Sequence, residues 1–158
     1  MAAIEAKNLF ADGLDVGISI GSVISTNVIQ IATGKTYRRY TNAAAKYADP
    51  SDLGKTRLLV KVTDEILSAS VSGATLQIDL YKHTTAAVNS GTVVDSKTVT
   101  VTTDVAIGTT LWDIGLPVDA LDQEFFGLYF TVAVQNMASG KIFAALMDGV
   151  EKTSEEPV

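Results

Sequence analysis

The chain contains no cysteine, one histidine, one tryptophan and three prolines in 158 residues. Without cysteine there is no disulfide framework, no thiolate zinc site and no cysteine nucleophile. The same absence leans toward assembly in a reducing cytoplasm. Long apolar runs are missing too: nothing approaches the ~18 uninterrupted residues of a membrane helix. The opening Met1–Lys7 lacks the basic stretch and apolar run of a signal peptide, so none is expected. No Asn-x-Ser/Thr sequon occurs.

Catalytic patterns are equally sparse. His83 follows Lys82 at the end of an apolar alternation, and no neighbouring motif supplies the orienting carboxylate and nucleophile that a catalytic histidine needs. It reads as a turn histidine. Gly-Lys-Thr occurs at 34–36 and 54–56, but the earlier glycine of a phosphate-binding loop is replaced by Ile29 and Asp49. Both copies read as turns. Asp119, Asp122 and Glu124 cluster without the spacing of a calcium loop and read as solvated acids. No catalytic set, cofactor or metal site is expected, and the chain is read as a non-enzyme.

What the chain does have is an apolar, β-rich pattern. Hydrophobic residues make up 47% and charged residues 19%, a globular composition sized for one domain. Leu76, Ile78 and Leu80 alternate with Gln77, Asp79 and Tyr81, which predicts a strand with one face on a core and the other on water. Leu58, Val60 and Val62 repeat the pattern, as do Val99 and Val101 among threonines. Phe126, Leu128, Phe130, Val132 and Val134 form one face of the longest predicted strand. A last strand is expected from Ile142, Ala144 and Leu146, and earlier ones around Ile18 and Ile20 and over 27–31. Breaks fall at Ser72-Gly73, Asn89-Ser90-Gly91, Gly108, 119–122 and 136–140. Trp112, in an apolar stretch, reads as core.

Seven or eight short strands predict an all-β, antiparallel β-sandwich, or a jelly roll. Residues 1–15 read as an N-terminal arm, 16–150 as a single sandwich domain, and 151–158 as a flexible acidic tail. A long connector covers 34–57, beyond the usual loop length, and such a connector carries either function or a solvated mobile loop.

Charge is unevenly spread. The net charge is −6, yet residues 35–57 hold six of the twelve bases (Lys35, Arg38, Arg39, Lys46, Lys55, Arg57) against two acids. The molecule reads as an acidic body with one basic segment, and the acidic balance argues against nucleic acid as a partner. Within that segment Tyr37, Arg38, Arg39, Tyr40, Lys46 and Tyr47 combine the residue types enriched at binding hot spots.

With these residues in view, the chain resembles the small capsid cement, or decoration, proteins of tailed bacteriophages. The resemblance lies in Lys7-Asn8-Leu9-Phe10-Ala11-Asp12, Ser25-Thr26-Asn27-Val28-Ile29, Ala74 to Leu80, Leu116-Pro117 with Phe126 to Val132, and Ser139 to Leu146. In order, these pieces span nearly the whole chain. Residues 34–57 depart from it, since typical members look shorter there. The resemblance implies a jelly-roll-like sandwich on the outer capsid surface, made in the host cytoplasm. It also implies the major capsid protein as partner, a homo-oligomer (dimer favoured over trimer) and no enzymatic activity. Candidate capsid contacts are Asn8, Leu9 and Phe10 in the arm, with Tyr37, Arg38, Arg39, Tyr40, Lys46 and Tyr47 in the connector; the alternative for Leu9 and Phe10 is that they fold back onto the protein's own core. The alternative from another class is a carbohydrate- or host-binding β-sandwich module of a phage particle, which would need an exposed aromatic platform from Trp112 or the tyrosines.

Overall fold

Strands form where apolar residues recur at every second position, and the inward-turned side chains are the ones that alternation selects. A computed structural model of the chain describes residues 9–30, 56–115 and 125–148. It contains β1 (Leu9–Asp15), β2 (Gly21–Ile24), β3 (Ile29–Gln30), β4 (Thr56–Ser68), β5 (Ala74–His83), β6 (Thr92–Val101), β7 (Thr110–Gly115), β8 (Phe125–Ala133) and β9 (Met137–Asp148). A 3₁₀ turn, Val88–Ser90, lies between β5 and β6.

The strands make two antiparallel sheets. One runs β1-β9-β4-β7, and the other runs β2-β8-β5-β6, with β3 also paired to β8. Because β2 and β3 share one edge of β8, they are two halves of one broken strand. The pairs β1 with β9, β2 and β3 with β8, β4 with β7, and β5 with β6 are nested in sequence. A nested ladder of this kind is one long hairpin ribbon. Wrapping it round brings β4 against β9 and β5 against β8, closing two four-position sheets. That is the jelly-roll β-sandwich, two Greek keys in eight strand positions.

The core fills the space between the sheets. Leu58, Val60 and Val62 from β4, Leu76, Ile78 and Leu80 from β5, Phe126, Leu128, Phe130 and Val132 from β8, and Ile142 and Ala144 from β9 are all buried. Trp112 on β7 joins them, as its apolar surroundings predict. Burying side chains of this size contributes roughly 1.5–3 kcal/mol each.

Several sequence expectations need correction. Val134 continues the inward parity of β8, yet it lies outside the strand and is exposed. The chain reverses there in a γ-turn: the Gln135 N–H donates to the Ala133 carbonyl at 2.8 Å around a Val134 φ of +69°. A β-branched residue in that conformation stores about 1–3 kcal/mol. Residues 136–140 were expected as a connector, but β9 begins at Met137; Gly140, at φ +145°, lets Ile66 approach closely. Ile18 and Ile20 precede β2 rather than forming a strand. Asp79 is buried although it points away from the core, because Ser96 and Gln77 bond its carboxylate. Of the predicted arm, Leu9–Asp15 form β1, and the predicted connector ends two residues early, since Thr56 and Arg57 begin β4. The rest of the connector, residues 119–124 and the tail 151–158 lie outside the described residues.

Candidate interaction surfaces

The first candidate contact segment is folded into the sandwich. Phe10 is fully buried and Leu9 half-buried, with Leu9 paired to Ala145 of β9. Their carbonyls are held by the break between β2 and β3: the Asn27 N–H donates to the Phe10 oxygen at 2.8 Å, and Asn27 Nδ2 donates to the Leu9 oxygen at 3.2 Å. The Phe10 ring therefore belongs to the core and is not a surface contact. β1 is an edge strand, but register shifts at Leu9/Ala11 and Asp12/Leu14 make it irregular, which blunts an edge against pairing with another chain. Asn8, Tyr37, Arg38, Arg39, Tyr40, Lys46 and Tyr47 lie outside the described residues. Arg57, the last base of the basic segment, is on β4, where its Nε donates to Asp113 Oδ1 at 2.6 Å.

The break itself is built on one hydroxyl. Ser25 Oγ accepts the Leu128 N–H at 3.1 Å and donates to the Asn27 carbonyl at 2.8 Å, while the Ser25 N–H donates to the Leu128 carbonyl. The side chain thus takes over the backbone's role for one ladder position, and the freed chain at Asn27 reaches across to β1.

The second surface is the outer face of the β2-β8-β5-β6 sheet. Period two places Ser22, Thr131, Gln77 and Thr98 in one row, and Ile24, Tyr129, Asp79 and Ser96 in the next. Tyr81 meets Tyr129 edge to face, with ring centres 5.8 Å apart. Burial, then the Asp79 carboxylate, then Tyr129 push the Tyr81 hydroxyl above its usual pKa. The 3₁₀ turn folds onto this face at Gly127, where an added Cβ would stand 2.3 Å from Val88 Cγ2. The face is a hydroxyl-lined sheet with one pair of crossed rings. With Trp112 in the core, no flat aromatic platform is added to it. His83 closes β5 in a local turn, its Nδ1 accepting the Thr85 N–H at 2.9 Å.

The third surface is one end of the sandwich, where four connections meet: 16–20, 69–73, 102–109 and 134–136. Asn136 stitches three of the segments together. Its carbonyl accepts the Ala69 N–H, its Oδ1 accepts the Ile20 N–H, and the adjacent Met137 N–H donates to Ile18. Residues 69–73 sit against 102–109, since a Cβ on Gly73 would meet Thr102 Cγ2 at 2.9 Å. Val105 exchanges two 3.0 Å backbone bonds with Ile66 of β4. Each connection exposes one aliphatic side chain: Ile20 is 59% exposed, Val71 97%, Ile107 66% and Val134 62%. Sequence periodicity misses this end, because each aliphatic is a single apolar residue in a polar loop. The available signal was the scarcity of charge, since Asp104 alone carries one in these four connections.

Among the described residues no helix is long and apolar enough to cross a membrane, and no cluster of three or more metal-ligating side chains occurs. No family model and no curated relative matches the chain. Among solved structures, it is similar to a chain in the structure of the infectious bursal disease virus Gx strain, at 15% identity and a TM-score of 0.41, over 88% of this chain and 30% of that one. It is also similar to a chain in the crystal structure of the infectious bursal disease virus VP2 subviral particle, at 13% identity and a TM-score of 0.41. That alignment covers 90% of this chain and 32% of the other, so this chain spans about a third of the length of either neighbour.

Proposed function

We propose that this chain is a structural virion protein that binds the outer surface of a phage capsid and stabilises the shell by bridging capsid subunits. The observation that carries the reading is the way the cement-protein-like segments meet in the fold. Leu9 and Phe10 bond to Asn27, Ser25 bonds to Leu128, Leu9 pairs with Ala145, and the 74–80 strand pairs with the 126–132 strand. Pieces far apart in sequence form one connected frame, which is consistent with a shared fold.

On this reading the partner is the major capsid protein, and the chain acts as a homo-oligomer without catalytic activity or a cofactor. Packed DNA strains the joints between shell subunits. A stiff sandwich across a joint adds contact area and raises the cost of separating neighbours. Little ordering cost remains when such a scaffold binds, and an oligomer that grips several subunits converts modest contacts into strong ones. The basic connector, carried on an acidic body, supplies charge for a negatively charged shell.

The test is binding of the purified chain to heads that lack it. Co-sedimentation with heads, together with a higher temperature for shell disruption, is the expected result. A chain that stays in the supernatant at saturating concentration rejects the reading. The carbohydrate- or host-binding alternative rests on the Tyr81 and Tyr129 rings beside Asp79 and Gln77. A glycan array with no hits dismisses it.

A further inference from the structure

The end of the sandwich formed by 16–20, 69–73, 102–109 and 134–136 is built for contact. Soluble surfaces scatter single exposed hydrophobics. Here four of the six large exposed hydrophobics among the described residues, Ile20, Val71, Ile107 and Val134, fall one to each connection at the same end. Asn136 and the Ile66–Val105 bridge fix those connections to the frame, so presenting them costs little ordering. Val134 reaches the surface only through a backbone conformation that valine disfavours. Strain of this kind persists where the surrounding structure holds it in place, here the β8–β9 reversal, and it clusters at functional sites.

We propose that this end is where copies of the chain associate, with the four aliphatics of each copy meeting those of its neighbours about a rotation axis. Charge selects this occupant. The chain carries a net charge of −6, so two copies repel over most of their surfaces. These connections hold Asp104 as their one formal charge and no base at all. A self-contact places like groups opposite like groups, and contact through connections with so little charge does so at small electrostatic cost, with Asp15 and Glu65 left at the border. An acidic partner finds no cation in these connections, and Lys141 beside them stands in register with Asp15 and Asp64. A membrane surface finds neither the aromatic nor the basic residues that anchor at lipid headgroups. The proposal locates the oligomer that the shell-binding reading invokes, and it rests on that reading only for the oligomer's purpose, since the association needs no shell.

Sedimentation velocity of the full chain over a concentration series up to about 100 µM, where a weak specific contact is populated, tests it. The expected result is a species of two or more chains. Val71→Glu with Ile107→Glu, both at exposed positions, should weaken the association roughly tenfold or more while the melting midpoint stays unchanged. Val134→Asn provides a second arm. Asparagine accepts a positive φ, so the variant should melt at the same temperature or higher and still associate less. A wild-type chain that remains monomeric at the highest concentration overturns the proposal, as does a double variant that associates as tightly as wild type. A monomer that binds heads, or one that binds neutral phosphatidylcholine vesicles through these residues, also overturns it. The first of those results leaves the shell-binding reading standing, whereas an oligomer that ignores heads does the reverse.

Discussion

Ser25 is a small residue with a large structural role. Its hydroxyl receives a strand N–H that would otherwise be buried without a partner. Ser25→Ala should therefore cost about 1–3 kcal/mol, the range for leaving one buried donor unsatisfied. The check is a denaturation curve with a lower midpoint and an unchanged slope. Tyr81 gives a prediction in pH. Its folded pKa is raised above the ordinary value of 10.0, chiefly by burial and then by Asp79. Below pH 10 the hydroxyl is neutral in both states and folding loses nothing. As the pH rises past that value, the unfolded chain ionises first and stability falls. Thermal melts between pH 9 and about 11.5 should show this loss. Tyr81→Phe should reduce it, and an identical alkaline decline in the variant would count against the assignment.

At the scale of elements, β1 decides how the N-terminal region behaves. Phe10→Ala removes a fully buried ring and should destabilise the fold by about 3–5 kcal/mol, read by chemical denaturation. A loss below 1 kcal/mol would mean that β1 packs less firmly than its burial indicates. The sequence made the interiors of β4, β5 and β8 readable, because Leu58 to Val62, Leu76 to Leu80 and Phe126 to Val132 alternate cleanly between two environments. It failed where a turn overrides parity. Val134 has the period of an inward residue, and only the γ-turn turns it out. Ser139 and Gly140 look like turn residues, yet they lie inside β9 where Ile66 presses against the strand. Asp79 looks solvated until the pairing with Ser96 places a hydroxyl on its carboxylate. The Asn27 tether and the apolar end depend on contacts between separate segments, from 18 residues apart for Asn27 with Leu9 to 116 for Ile20 with Asn136. Local patterns carry no trace of such contacts.

At the scale of the molecule, charge is divided between a basic segment and an acidic remainder. If Arg38 and Arg39 contact the shell, replacing both by alanine should lower occupancy on heads and flatten its dependence on salt. Cryo-EM occupancy and binding at two ionic strengths measure both effects, and equal occupancy at low salt would remove these residues from the contact.

The nested ribbon has a consequence for how the chain reaches its native state. β9, the last of the described strands, lies between β1 and β4, so the first and last described segments are neighbours: Leu9 stands beside Ala145. In that sheet β4 can pair with β7 once residue 115 is made, but β1 has no ladder partner until β9, from Met137 on, is made. A topology so dominated by distant pairings folds in milliseconds to seconds rather than microseconds. A growing polypeptide on the ribosome therefore holds β1 without its ladder partner until β9 has emerged, and slower translation cannot give that strand an earlier start.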